Sequence, residues 1–292
     1  MIINIHTHTF PPRIAEAALR SMQENSHTAL FSDGTEEGLT ADMKRTGIGL
    51  SVVQPVATNP EKVCHINDNV IRVNRRIKET GICSFGAMHP AMKNSEAELE
   101  RLAREGVRGI KLHPCYEDTD IDHPDTIRIL RKCGELGMIV LIHSGWDVGI
   151  PGSEAALPRK IRNALDAAGR VRMIAAHMGG WKCWEEASRL LPETGISLDT
   201  AFSLGRMTRA PGDGHWKDAE LELLSPDAFC AMVHLFGTDR ILFGTDSPWA
   251  DAGEEISKIK ALPLTEEEIA AILGGNAERL LETGKTAYKE TN

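Results

Sequence analysis

Met1-Ile2-Ile3-Asn4-Ile5-His6-Thr7-His8 opens the chain, an apolar run of strand length that ends in two histidines two residues apart. Side chains alternate across a β-strand, so Ile3 and Ile5 share one face and His6 and His8 the other. Two imidazoles on one face can converge on a single metal ion. Three later residues occupy comparable places. His143 closes the apolar run 138–143, His177 closes 172–177 and Asp246 closes 240–246, each followed within two residues by Gly or Pro. Singly, each has a plainer explanation: a hydrogen-bonded core histidine, or a helix cap after Pro248. Together they describe imidazole and carboxylate groups at the ends of separate strands, which a parallel barrel gathers on one rim.

The rest of the chain fits that architecture. Strand-like runs fall at residues 2–6, 50–56, 83–88, 107–113, 138–143, 172–177, 196–200 and 240–246. Helix-compatible stretches separate them, at 60–80, 95–105, 124–136, 155–168, 182–191 and 226–236, with a last one at 265–283 closing the barrel base. Ser95 with Glu98, and Thr265 with Glu268, have capping-box spacing. Eight strand–helix alternations predict an α/β fold, a (β/α)8 TIM barrel built as one domain from residues 1–292. An open doubly wound sheet is the alternative, but no glycine-rich phosphate loop follows the first strand. Two segments break the rhythm: residues 9–38, with helix potential at 13–24, and 203–216. Rim loops of this kind carry substrate selectivity.

Composition excludes several function classes. With 33 Lys+Arg against 42 Asp+Glu the net charge is −9, and no dense basic block offsets it, so neither nucleic acid nor an anionic membrane surface is an expected partner. Six scattered cysteines without a C-x-x-C pair argue against a disulfide framework or structural zinc module. No apolar run approaches the ~20 residues of a membrane span, and no signal-like segment precedes His6. The expected location is cytoplasmic and the expected partner a small-molecule substrate, with a homodimer left open.

Several motifs resemble the amidohydrolase superfamily, specifically amidohydrolase family 2, the branch that includes aminocarboxymuconate-semialdehyde decarboxylase-like proteins. They are His6-Thr7-His8, Gly109-Ile110-Lys111-Leu112-His113-Pro114, Leu141-Ile142-His143-Ser144-Gly145, Ala176-His177-Met178-Gly179-Gly180, Leu198-Asp199-Thr200, Phe243-Gly244-Thr245-Asp246-Ser247-Pro248-Trp249 and Gly275-Asn276-Ala277-Glu278-Arg279-Leu280. The resemblance implies a metal-dependent hydrolase-type barrel holding one divalent ion on His6, His8, His143 and Asp246. Zinc suits that donor set first, with manganese, iron or cobalt as alternatives. It further implies His177 as general base and Asp246 as a ligand that also shuttles protons. Binuclear relatives carboxylate a lysine at about the position of Lys111; here an unmodified Lys111 is expected to support the site or bind an anionic substrate. His113, and less strongly His89, are pocket candidates. Arg206 and Arg209 can clamp a substrate carboxylate as a guanidinium fork, and Trp146 and Trp249 can stack on a planar ring.

The leading functional reading is hydrolysis of a small carboxylate, lactone, ester or amide by metal-activated water. Its rival is nonoxidative decarboxylation of an unsaturated or aromatic acid at the same site. A TatD-type nuclease, which usually places Glu where Lys111 stands, and a noncatalytic binding barrel are the weaker alternatives.

Overall fold

A computed structural model of the protein describes residues 1–282. Strands β1 (Ile2–Thr7), β2 (Ile48–Val53) and β3 (Ile82–Ser84) pair in that order. A second run follows with β4 (Gly86–Ala87), β5 (Gly109–Leu112), β6 (Ile139–Ile142), β7 (Arg172–Ala175), β8 (Ser197–Asp199) and β9 (Ile241–Leu242). These pairings are parallel. Backbone hydrogen bonds join the two runs at both seams. Phe85 N donates to Val53 O at 3.0 Å, and Ile5 N donates to Phe243 O at 2.9 Å. The architecture is the expected (β/α)8 TIM barrel. Its third strand, read as continuous over 83–88, is split at Phe85, whose side chain is fully buried.

Alternate residues of each strand sort into two apolar layers. Ile110, Leu112, Val140, Ile142, Met173 and Ala175 face the surrounding helices. Ile3, Ile5, Phe85, Leu141, Ile174 and Leu242 fill the barrel, closed beneath by Ala277 and Leu281. The alternation in β1 is not strict. Ile5 and His6 are neighbours, yet Ile5 packs in the barrel core and His6 reaches Lys111 and Asp199. The pairing of β1 with β2 shifts register between Asn4 and Thr7, which breaks the two-residue period where the histidines begin.

Helix starts follow from local chemistry. Four begin with proline at the first turn, Pro12–Ser26, Pro124–Glu135, Pro158–Ala168 and Pro226–Phe236, where a missing N–H costs nothing. Thr265 and Glu268 form the expected capping box. Ser95 and Glu98 do not: the helix Ser95–Arg104 starts at Ser95 itself, and Glu98 bonds Asn67 and Arg101 instead. The stretch 60–80 is broken after Asn74, and helix Glu36–Thr46, capped by Thr35, was not read from the sequence. The last stretch is interrupted by a π turn at Ala271–Gly275, where Ile272 O accepts Phe243 N and a side chain on Gly274 would meet Met1 O. Residue 283, the end of that stretch, lies outside the described residues.

The segment beyond β1 and the loop beyond β8 meet above the rim. Ala29 N donates to Thr208 O, Ala210 N to His27 O, and Trp216 Nε1 to Ser26 O. Below them Gly145 stitches the β6 and β7 loops. Its N–H donates to Ala156 O at 2.8 Å, its φ is +89°, and a Cβ there would lie 2.2 Å from Trp181 N. Gly145→Ala combines a left-handed backbone with a clash against main chain that has no room to yield. It should lower stability by roughly 2–4 kcal/mol, read as a reduced urea midpoint.

Candidate active site

The rim collects charge that the barrel then buries. His6 Nε2 and His8 Nε2 lie 3.2 Å apart, and Asp246 Oδ1 lies 3.4 Å from the first and 3.0 Å from the second. Gly244, two residues before Asp246, leaves this space open, since a Cβ there would sit 2.9 Å from His6 Cβ. Lys111 Nζ approaches His6 Nε2 at 3.3 Å. Burial pushes the Lys111 ammonium down to about 8. For Asp246 burial acts upward, but the adjacent His6 and His8 hold the carboxyl well below its usual range.

His143 and His177 stand beside this group. Their facing nitrogens, His143 Nδ1 and His177 Nε2, are 3.1 Å apart. The far nitrogen of each ring meets a carbonyl: His143 Nε2 meets Trp146 O at 3.1 Å, and His177 Nδ1 meets Ala201 O at 3.0 Å. A carbonyl only accepts, so both outer nitrogens must carry the N–H. Burial holds the two imidazoles down at about 3 and about 4, so both are neutral at pH 7. The facing nitrogens are therefore both lone pairs. Two lone pairs in contact, away from water, fit a cation between or beside them. At His6, Nδ1 donates to the Asp199 carboxylate at 2.8 Å, which turns Nε2 toward His8 and Asp246. These donors fit a divalent ion by their chemistry.

The remaining expected residues separate into lining and non-lining groups. His113 stacks on His143, with ring centroids 4.3 Å apart, and its Nε2 is 3.5 Å from Asp147 Oδ2. Trp146 and Trp249 line the cavity, the second edge-on to His8 at 5.5 Å. Arg206 and Arg209 do not line it. Arg206 binds Asp218 at 2.6 Å and Glu222 at 3.3 Å, and Arg209 shares Asp218 and bonds Trp216 O, so the expected guanidinium fork faces acidic groups of its own loop. His89 is outside the cavity and accepts from Ala91 N.

Three buried residues were not singled out from the sequence. Asp199 is fully buried and accepts from His6, from His177 N and from Ala201 N. Its place at a strand end was a usable signal. Asp147, within 3.5–3.6 Å of His113 and His143, and Glu117, which accepts His113 N at 2.7 Å, sit in loops where one acidic residue reads like any other.

The cavity above these groups holds about 370 Å³, with Phe10, Met22, Trp146, Trp181, Phe202 and Trp249 among its walls. No helix among the described residues is long and apolar enough to cross a membrane.

A family model described as amidohydrolase matches residues 3–283. No curated protein matches the sequence. Solved structures with the same fold include an uncharacterised TIM-barrel protein of Bordetella bronchiseptica, 18% identical, TM-score 0.71, covering 97% of this chain and 99% of that one. A dihydroxybenzoic acid decarboxylase of Polaromonas, solved with bound manganese and the inhibitor 2-nitroresorcinol, is 13% identical with TM-score 0.65 and 97% of each chain covered. A 5-carboxyvanillate decarboxylase of Sphingomonas paucimobilis is 15% identical with TM-score 0.63, covering 96% of this chain and 98% of that one.

Burial also makes the site a pH-dependent load on the fold. It holds His8 at about 4 and His113 well below its usual range, alongside His143 and His177. In the unfolded chain each returns to about 6.5. Above that pH all four are neutral in both states and full stability is present. As pH falls from 6.5 toward 4, the unfolded chain binds protons that the folded chain refuses, and stability is lost. Glu117, pushed up to about 8 by burial, works the other way, as does Asp147, whose carboxyl burial also raises. Metal-free protein should show a lower urea midpoint at pH 5 than at pH 7, and Glu117→Gln should steepen that difference. A midpoint that rises toward pH 5 in the variant would refute the assignment of neutral, buried imidazoles.

Proposed function

This chain belongs to the amidohydrolase-2 family, and on that premise we propose that it is a metal-dependent decarboxylase of a planar aromatic or unsaturated carboxylic acid. The observation that carries this reading is the division of the cavity. Its walls are largely aromatic and aliphatic, whereas its charged and imidazole groups lie together at one end: His6, His8, Lys111 and Asp246 are in mutual contact, His143 pairs with His177, and the two groups adjoin where the His6 and His177 rings stand 5.4 Å apart. A flat ring suits such walls, and a single carboxylate suits such a set. Gln54 Oε1, His113 Nδ1 and Trp181 Nε1, all on cavity-lining residues, are buried without a hydrogen-bond partner among the described residues, and a substrate carrying hydroxyl or carboxyl groups would use them. The decarboxylases of similar fold act on acids of this shape.

His6, His8, His143 and Asp246 would hold one divalent ion, zinc or manganese, which when bound supplies a Lewis acid for the substrate's oxygen atoms. The chain's own groups do the rest. Decarboxylation breaks the bond between ring carbon and carboxyl carbon, releases CO2 and leaves an electron pair that a proton must meet. Lys111 Nζ holds a proton at neutral pH and offers a positive charge to the carboxylate. His177 Nε2, with its other nitrogen committed to Ala201 O, accepts a proton from a substrate hydroxyl or water and returns it to the carbon that loses the carboxyl group, so the proton and the electron pair are both accounted for. Trp146, Trp181 and Trp249 orient the ring and exclude water. The six free cysteines fit a reducing compartment such as the cytoplasm.

Hydrolysis of a small carboxylate, lactone, ester or amide is the second reading, and the unprotonated His177 Nε2 favours it, because that nitrogen is equally able to take a proton from water. A screen of hydroxylated benzoates and unsaturated acids, scored for CO2 against hydrolytic products, separates the two. CO2 release is expected; turnover restricted to lactones, esters or amides would refute decarboxylation. Metal analysis should return one divalent ion per chain. His177→Asn should keep that ion and lose roughly 10²–10⁴-fold in kcat, whereas His8→Asn and Asp246→Asn should lose the ion. Equal loss of metal in His177→Asn would make His177 a ligand and leave the base unassigned.

A further inference from the structure

The geometry points to Asp199 as a positioning residue that sets the tautomer of His6 and so aims its Nε2 lone pair at the cation. The inference rests on the reading of His6 as a metal ligand, but the observations behind it are independent of any metal. Asp199 ends β8, where it pairs in register with Leu242, and no part of it reaches solvent. Its carboxylate makes three contacts and the donors are unequal. Oδ1 accepts two backbone N–H groups, from His177 at 2.9 Å and Ala201 at 3.1 Å. Oδ2 accepts from His6 Nδ1 at 2.8 Å. Two backbone donors prevent the carboxylate from rotating, so Oδ2 has one direction to face. A carboxylate already accepting two backbone N–H groups offers His6 only an acceptor, so the ring's proton belongs on Nδ1 and Nε2 is the nitrogen turned toward the cation site.

The same carboxylate holds the strand end that carries His177. His177 has φ +58° and Met178 φ +52°, a left-handed pair that side chains disfavour. The His177 N–H is tied to Asp199 Oδ1, and its Nδ1 to Ala201 O two residues further along. One buried acid thus fixes a proton on His6 and the backbone of His177.

Asp199→Asn separates these roles. The two backbone donors retain an oxygen only if the Asn amide places its Oδ1 toward them, which turns its NH2 toward His6 Nδ1. A donor there requires His6 Nδ1 to be a lone pair and moves the proton to Nε2, where it blocks coordination. The variant keeps the packing and the loop contacts and changes the tautomer.

The test is ring ¹⁵N NMR of metal-free wild type and Asp199→Asn, with His6 assigned by its loss in His6→Gln. Zinc affinity is measured on the same proteins by chelator competition. Wild type should show His6 protonated at Nδ1, and the variant protonated at Nε2 with zinc affinity reduced roughly 10–100-fold. A wild-type His6 protonated at Nε2 overturns the inference without any variant, which keeps it testable if Asp199→Asn fails to fold. A folded variant that retains wild-type zinc affinity or the wild-type tautomer overturns it as well. Wild type that binds no zinc or manganese would instead refute the metal reading, while the His6 tautomer would still decide the role of Asp199.

Discussion

Four imidazoles, those of His8, His113, His143 and His177, are held largely out of water above the apolar core of a barrel, and most else about the site follows from that constraint. Protonation is the ordinary way for an imidazole to satisfy its second nitrogen. Burial makes protonation unfavourable, so positive charge must come from elsewhere. Lys111 supplies one charge from within the chain, and the donor set fits a divalent ion as the other. The acidic residues near the ring, Asp199, Asp147, Glu117 and Asp246, divide by the same rule. Asp199 and Asp246, beside His6 and His8, are held below the usual carboxylate range, whereas burial raises Asp147 and pushes Glu117, with one oxygen unpartnered, up to about 8.

The rim pays for this arrangement with unusual backbone. His177, Met178, Phe202 and Asp246 all have positive φ. Such residues persist only where neighbours over-determine them. At Asp246 the backbone N–H donates to His6 O at 2.9 Å, which also ties the last strand to the first; at His177 the tie is Asp199. The hydrogen bonds that close the barrel and those that aim the site are thus partly the same bonds. A site this dependent on strand ends is stiff, as one on rigid elements should be.

Of the two parts that interrupt the barrel's repeat, one walls the cavity and the other braces it. The helix Pro12–Ser26 presents Ile14, Ala18 and Met22, four residues apart, to the cavity. The 203–216 loop is pinned against its end by backbone bonds and by Trp216. Its arginines are occupied by Asp218, so the mouth of the cavity is more apolar than its sequence suggests.

The strand order, the barrel and the strand-end positions of His6, His143, His177 and Asp246 were legible in the sequence. Each depends on a short-range pattern: a mainly apolar run of strand length, a polar residue closing it, a Gly or Pro turn after it. The tautomers, the partners and the pocket walls were not legible, because they depend on residues far apart in the chain. Asp199 meets His6 across 193 residues, and Lys111 meets it across 105. Arg206 and Asp218 are close in sequence, yet nothing in their order tells whether the guanidinium turns inward to a substrate or outward to a carboxylate. The register shift in β1 was hidden for a related reason. Alternation predicts opposite faces for Ile5 and His6, and only the pairing of β1 with β2, which breaks step after Asn4, lets His6 reach the barrel's rim groups. Sequence periodicity determines which residues arrive at the rim; which lone pair faces which proton is decided only when the strands close around them.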